Sequence, residues 1–428
     1  MISNEPVHFE ATHTLYSSGR RWVMLGVLFL VATCSYLDRH IIAVLLEPIK
    51  HEFQVSDTLL GLLTGFAFAI FYATLGIPVA QWADRGNRRT VVTVALTVWS
   101  VFTALSGMSV SFLQLALARI GVGAGEAGAI PPSQSLIADY FPKEKRGLAL
   151  AVLTSSATVG YLVAFMGGAI LAATHGWRVA LIVVGLPGLV LAVVAHFVLD
   201  EPRKRKAVQV RAEPQEYKEA FRELLRKRSV VWVLVGVACY GIVAYGAAIF
   251  MPSFIVRSLG ASLQDVGLVY GALSAVGALS GTLAGGWLAD RLGKRDLRWY
   301  AWLPAAACAF ALPFQVASLL LHSFSAFLIL GWIGGIALGL GVPSMYTALH
   351  AVCGSSRRSL AVAVFGFVLS LVGSGLGPLV TGALSDALTP NFGVESLRYA
   401  MVFSTCFLAP AAWALYRCGR AMPRDLEA

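Results

Sequence analysis

Apolar stretches of about 20 residues follow one another along nearly the whole chain, separated by short polar or charged breaks. A helix of that length crosses a hydrocarbon core of about 30 Å, so the pattern predicts membrane-spanning helices. Twelve are expected, near 22–46, 58–82, 90–109, 112–138, 147–173, 176–199, 230–256, 264–288, 299–321, 324–350, 359–385 and 397–417. The longest break, "DEPRKRKAVQVRAEPQEYKEAFRELLRKRS" from Asp200 to Ser229, divides them six and six. The expected organisation is an N-terminal tail (1–20), a six-helix bundle (21–199), a linker (200–229), a second six-helix bundle (230–418) and a C-terminal tail (419–428). Between Tyr217 and Arg228, Phe221, Leu224 and Leu225 recur at helical spacing among charges. That suits an amphipathic helix on the membrane surface or, equally, a solvated connector.

Composition agrees: 57% of residues are hydrophobic and 13% charged, with a mean hydropathy of +0.72, outside the range of soluble domains. The net charge of +10 raises a nucleic-acid reading, which the location of the charges removes. With the N-terminus inside, only Lys50, Arg178, Arg257 and Arg398 fall outside and Arg39 and Arg119 lie within spans; the rest of the 33 Lys and Arg fall on the inner side. This positive-inside asymmetry puts both termini in the cytoplasm, with anionic lipid headgroups as counter-charge. The polar start "MISNEPVHFEATHTLYSSGRR" lacks the features of a cleaved signal. The six cysteines show no paired short spacing, so neither a disulfide framework, a metal site nor a cofactor is expected. The predicted location is the plasma membrane, or the inner membrane of a bacterium.

The two halves repeat each other. "AQWADRGNRR" (Ala80 to Arg89) follows the second span, and "GGWLADRLGKR" (Gly285 to Arg295) follows the eighth. Parallel repeats with a binding site at their interface are a recurring transporter plan. The later copy closely resembles the signature loop of the major facilitator superfamily, G-x-L-A-D-R-x-G-R/K-R/K; the earlier copy departs from it at Ala80 and Asn87, where glycines are usual. Two further stretches, "YLDRHIIAVLLEPIKHEF" and "ARIGVGAGEAGAIPPSQSLIADYFPKEKRG", resemble the spinster-like branch. That resemblance implies a lysophospholipid- or sphingolipid-like substrate and coupling to protons. Organic-anion and hexuronate symporters carry related patterns and imply the alternative of a small anion, its carboxylate bound by Arg39 or Arg119.

"YLDRHI", Tyr36 to Ile41, places an acid, a guanidinium and an imidazole inside the first span, where each central charge costs roughly 2.5–3.5 kcal/mol on insertion scales. Counting from span centres at 1.5 Å per residue, Asp38 lies about 6 Å and Arg119 about 9 Å toward the outer face, so Arg119 is the expected partner. Burial favours the neutral acid and a nearby guanidinium the carboxylate. A conformational change that parts them would let Asp38 take a proton, which makes the pair a candidate coupling device, against the alternative of a structural ion pair. Glu126, two turns beyond Arg119 on almost the same face, is a candidate for binding a polar headgroup or a second proton; the competing reading is an internal salt bridge to Arg39 or Arg119. Arg39 and His40 point about 100° and 200° away from Asp38, leaving Arg39 to meet Glu126 or an anionic headgroup and His40 a polar contact near the outer boundary. The later half offers Tyr240, Tyr245, Ser344, Tyr346 and Ser370 and no midplane charge, of which Tyr240 and Tyr346 are taken as substrate-facing.

Asp84, Arg85 and Arg88 after the second span, Asp290 and Arg291 after the eighth, Arg146 before the fifth, and Arg357 and Arg358 before the eleventh occupy matching positions in the two halves. They are expected to form latches across the halves, Asp84 near the eleventh span and Asp290 near the fifth, favouring an outward-open state; plain inside-positive topology is the alternative. No nucleophile-and-base motif and no phosphate-binding loop is present, which argues against an enzyme or an ATP-driven pump. The expectation is a monomeric proton-coupled carrier of an amphipathic or anionic small molecule, working among membrane lipids.

Overall fold

A computed structural model describes residues 16–202, 221–353 and 358–427, all of whose regular structure is helical. The tail before residue 16, most of the linker and Arg357 lie outside the described residues, as do the side chains of Asp84 and Arg358. Helix α1 (Ser18–Phe53) opens on Ser17, whose hydroxyl accepts from Arg20 N, and ends where Gln54 turns left-handed at φ 52°. Helix α2 starts at Asp57–Gly61, passes through a π-helical turn (Leu62–Phe66) and continues as Ala67–Arg85. Then come α3 (Arg88–Gly107), α4 (Phe112–Glu126), α5 (Ile130–Tyr140), α6 (Lys143–Leu162, with the π-helical turn Val163–Gly167) and α7 (Gly168–Val198).

Helical residues 221–226 (α8) precede α9 (Arg228–Leu259). Helix α10 runs from Leu263–Asp265 through a π-helical turn (Val266–Gly271) into Ala272–Gly293. It is followed by α11 (Trp299–Leu320), α12 (Phe324–Val352), α13 (Arg358–Val368, the π-helical segment Leu369–Leu376, then Gly377–Phe392), α14 (Ser396–Thr405) and α15 (Leu408–Glu427).

Three departures from the sequence-based boundaries have local causes. The expected span 112–138 is broken between Glu126 and Ile130, because Pro131 and Pro132 cannot donate to the preceding turn. Helix α7 kinks at Gly176, whose φ of 83° only glycine adopts readily. The expected C-terminal tail is helical through Glu427: Leu415, Cys418 and Met422 continue a buried stripe under the arginines that end the hydropathy signal.

Among the described residues, nine helices are long and apolar enough to cross a membrane. Large apolar side chains such as Phe197, Val190 and Leu283 are two-thirds or more exposed on the outer surface of these helices, the arrangement expected where the solvent is lipid. The protein is an integral, multi-pass membrane protein.

One buried cluster belongs to the first half (Met24, Val31, Trp99, Val122, Tyr140) and another to the second (Val233, Val237, Leu349, Phe365, Leu415). A third draws on both, joining Leu45, Ile49 and Phe165 to Phe250, Phe254 and Val266. It lies toward the end of the molecule where α1 and α9 finish, called here the far end; the described termini lie at the near end. The halves also meet there backbone to backbone. Gly267 packs on α6 so closely that a Cβ would lie 2.5 Å from Phe165 O, and Gly61 leaves no room for one against Pro378 O. All four π-helical segments among the described residues occur in helices that make this interface.

Candidate functional site: two buried ion pairs and a far-end clamp

The charged residues of α1 and α4 meet as two pairs. Arg119 Nη1 donates to Asp38 Oδ1 at 3.1 Å and Nη2 to the Asp38 carbonyl at 3.3 Å, with both side chains almost wholly buried. About 100° around α1, Arg39 donates from Nη2 and Nε to Glu126 Oε2 at 2.7 and 3.2 Å. The sum is two cations and two carboxylates, a neutral set that membrane burial can tolerate. Each acid keeps one buried oxygen, Asp38 Oδ2 and Glu126 Oε1, with no hydrogen-bond partner among the described residues. Glu126 is the last residue of α4, at the negative pole of its helix dipole, so Arg39 supplies the offsetting charge.

Arg39 is the member that reaches open space: its side chain is 31% exposed while Glu126 is fully buried. Its guanidinium lies 5.0 Å from the Phe68 ring centre, 5.1 Å from that of Tyr72 and 6.0 Å from that of Tyr36, within cation–π range. From the other half, Tyr245 lies close enough to Arg39, Tyr36 and Tyr72 to interact electrostatically, and Tyr346 close enough to Tyr245 and Tyr36. Tyr346 also packs on Phe365, ring centres 4.2 Å apart.

Tyr240 lines a cavity of about 290 Å³ inside the second half, with Tyr270, Gln315 and otherwise mostly apolar walls. His40 packs edge-on against Tyr161 at 5.1 Å and borders an opening of about 700 Å³ between α6 and α10, which shares Ala278 and Thr282 with that cavity.

Among the described side chains, the near-end residues make no ion pair or hydrogen bond across the halves. Arg146 Nε donates to Phe141 O at 3.0 Å, and Asp290 is exposed without an ion pair among the described residues. Arg85 and Arg291 are exposed, Arg291 lying over Trp287 at 5.5 Å. Arg88 is buried and tied within its own half, to Glu201 at 2.5 Å, Asp139 at 2.6 Å and Ser135 Oγ at 2.9 Å. Contacts of Asp84, Arg357 and Arg358 fall outside the described side chains.

Sequence reasoning missed a clamp at the far end. Arg257, from α9, donates to Glu47 Oε2 and Asp57 Oδ2, both at 2.8 Å, and Lys50 donates to Asp57 Oδ1 at 2.6 Å. Asp386, from α13, accepts from Asp57 N at 3.0 Å and Thr58 N at 2.7 Å, capping α2 from the opposite half. Lys50 and Arg257 stood out as exceptions to the inside-positive pattern beside Glu47 and Asp57; that was the available signal.

The family model for the Major Facilitator Superfamily matches residues 28–318. An MFS-type efflux pump of Mycolicibacterium smegmatis is 37% identical over 385 residues, covering 90% of this chain and 89% of that protein. A probable L-galactonate transporter of Escherichia coli is 26% identical, covering 91% and 87%. Among solved structures, a bacterial homologue of the human lysosomal transporter Spinster, inward-facing and unoccupied, superposes with a TM-score of 0.88 at 31% identity over 96% of this chain and 99% of that one. With its all-helical fold, the chain belongs to the major facilitator superfamily, in its spinster-like branch, and is a transporter rather than an enzyme.

Proposed function

We propose that the protein is a proton-coupled carrier of an amphipathic lipid, lysophospholipid- or sphingolipid-like, working by rocking one half against the other. The observation that carries this reading is the asymmetry of the central site. One wall holds the Asp38–Arg119 and Arg39–Glu126 pairs, with two carboxylate oxygens unpartnered among the described residues, while the other half offers aromatic residues and a mostly apolar cavity lined by Tyr240 and Tyr270. A polar head would sit at Arg39 and Glu126, with Tyr346 nearby, and a tail in that cavity. The opening between α6 and α10 offers a path from the membrane.

Protonation is assigned to Asp38, with Arg119 setting its proton affinity; Glu126 is the head-binding acid, freed from Arg39 when substrate competes for the guanidinium. The far-end clamp would hold the outward side closed. On the near side, Asp290 and Arg146, with Asp84, Arg85, Arg88, Arg291, Arg357 and Arg358, are the latches that would form as that side closes.

Helix lengths and breaks support a reading of twelve crossings. The stretches Lys143–Val198 and Leu360–Leu426, 56 and 67 residues long, are each too long for one crossing and are divided, at Gly176 and at Gly393–Glu395, into two segments long enough to cross. The broken pair α4 and α5 adds one more to the nine. With the inside-positive charge, this gives two six-helix bundles, cytoplasmic termini and a plasma-membrane or inner-membrane location, in a monomer.

The test is flux of a labelled lysophospholipid or sphingoid base into proteoliposomes under a pH gradient, with a sugar acid as competitor class. The second reading, a symporter of small organic anions, rests on the exposed Arg39 and on the galactonate relative; flux of the sugar acid alone would select it.

A further inference from the structure

A recess of about 580 Å³ opens at the near end between α8, the start of α9 and α15, a ligand-sized volume remote from the central site. Four arginines line it: Arg228, the first residue of α9, and Arg417, Arg420 and Arg424 on α15. The last three stand at i, i+3 and i+7, on one face of the helix. None of the four makes an ion pair or hydrogen bond among the described residues. The carboxylate in the lining, Asp425, is already engaged: its Oδ2 accepts from Ser229 N at 2.7 Å. All four are exposed, and like charges at this spacing repel modestly, a repulsion that an anion among them would relieve.

We propose that this recess binds the phosphate of an anionic glycerophospholipid from the inner leaflet. A free phosphate would present the same chemistry to the arginines, but the surroundings favour a lipid. Leu225, Val231 and Trp232 give the recess apolar walls. The Arg417 guanidinium lies 5.3 Å from the Trp232 ring centre and 5.4 Å from that of Trp413. Trp413 and Tyr416 are about half exposed beside it, as aromatics are at headgroup depth. Basic pockets between helices on the cytoplasmic side are suited to such headgroups, and paired guanidiniums match phosphate oxygens.

The bound lipid would fasten a junction already drawn together by Lys227, whose Nζ donates to Val352 O at 3.1 Å and Asp425 O at 3.0 Å. The linker would thereby be anchored to α12 and α15.

The experiment is native mass spectrometry of the full chain released from mixed phosphatidylglycerol and phosphatidylcholine membranes, with melting temperature read against each lipid and against inorganic phosphate. Wild type should retain phosphatidylglycerol and melt higher in it. Arg417→Gln/Arg420→Gln should lose roughly tenfold or more in affinity, and Arg417→Lys/Arg420→Lys should fall between. Lys143→Gln/Lys145→Gln, which removes near-end charge elsewhere, should change nothing. If the double glutamine variant fails to fold, Arg424→Gln alone at the exposed end should still reduce retention. Equal loss in the Lys143/Lys145 control, equal stabilisation by phosphatidylcholine, or full stabilisation by millimolar inorganic phosphate would each overturn the proposal.

Discussion

Asp38 and Arg119 are held by each other at 3.1 Å with almost no water in reach, so removing one partner should not cost the same as removing the other. Asp38→Asn strands a buried guanidinium that cannot shed its charge, a loss of about 3–5 kcal/mol, whereas Arg119→Gln leaves an acid that can take up a proton and become neutral. We predict a larger fall in melting temperature for Asp38→Asn than for Arg119→Gln, and partial recovery in the double variant. In the second pair Arg39 reaches open space while Glu126 is fully buried, so the order reverses: Arg39→Ala should be more damaging than Glu126→Gln, measured by thermal unfolding in detergent. An equal effect of both members of either pair would contradict the geometry. The Asp38–Arg119 pairing was legible because depth can be counted from span ends. The aromatic set around Arg39 was not, since Phe68 and Tyr72 lie on another helix whose rotation the sequence leaves open.

Four of the helices that join the halves, α2, α6, α10 and α13, carry π-helical turns, in which one extra residue per turn re-aims the face that follows. At Gly267 a methyl group would meet Phe165 O at 2.5 Å, and the cheapest relief is for α10 to move off α6. Gly267→Ala is therefore expected to loosen the far-end contact and raise labelling of a cysteine introduced beneath it, with little loss of overall helicity by circular dichroism. Unchanged labelling would mean that the seal does not depend on this contact. Helix existence was legible from hydropathy alone. The break after Glu126 was foreshadowed by Pro131 and Pro132, but the extension of α15 to Glu427 was hidden because arginines interrupt hydropathy without interrupting the buried stripe of Leu415, Cys418 and Met422.

At the scale of the whole molecule, the polar contacts between the halves among the described residues gather at the far end. The far end combines a shared apolar cluster with Arg257, Lys50, Glu47, Asp57 and Asp386; at the near end Arg146 and Asp290 stand unjoined. Arg257→Gln removes the cation between two buried acids and should shift the population toward the opposite opening, read as increased far-side cysteine labelling and, under the same logic, altered transport rate. From the duplicated loops the sequence leads one to expect near-end latches, which remain a proposal. It did not reveal the clamp, because Lys50 and Arg257 come together with Asp57 only once α1, α2 and α9 are packed.

Coupling of transport to the charge state of Asp38 is tested most directly by flux of a labelled lysophospholipid or sphingoid base in proteoliposomes, with and without a pH gradient, for wild type and Asp38→Asn. The expected result is gradient-driven accumulation by wild type and only passive, pH-independent equilibration by the variant, with both proteins folded. Gradient-driven accumulation that survives in Asp38→Asn would contradict it.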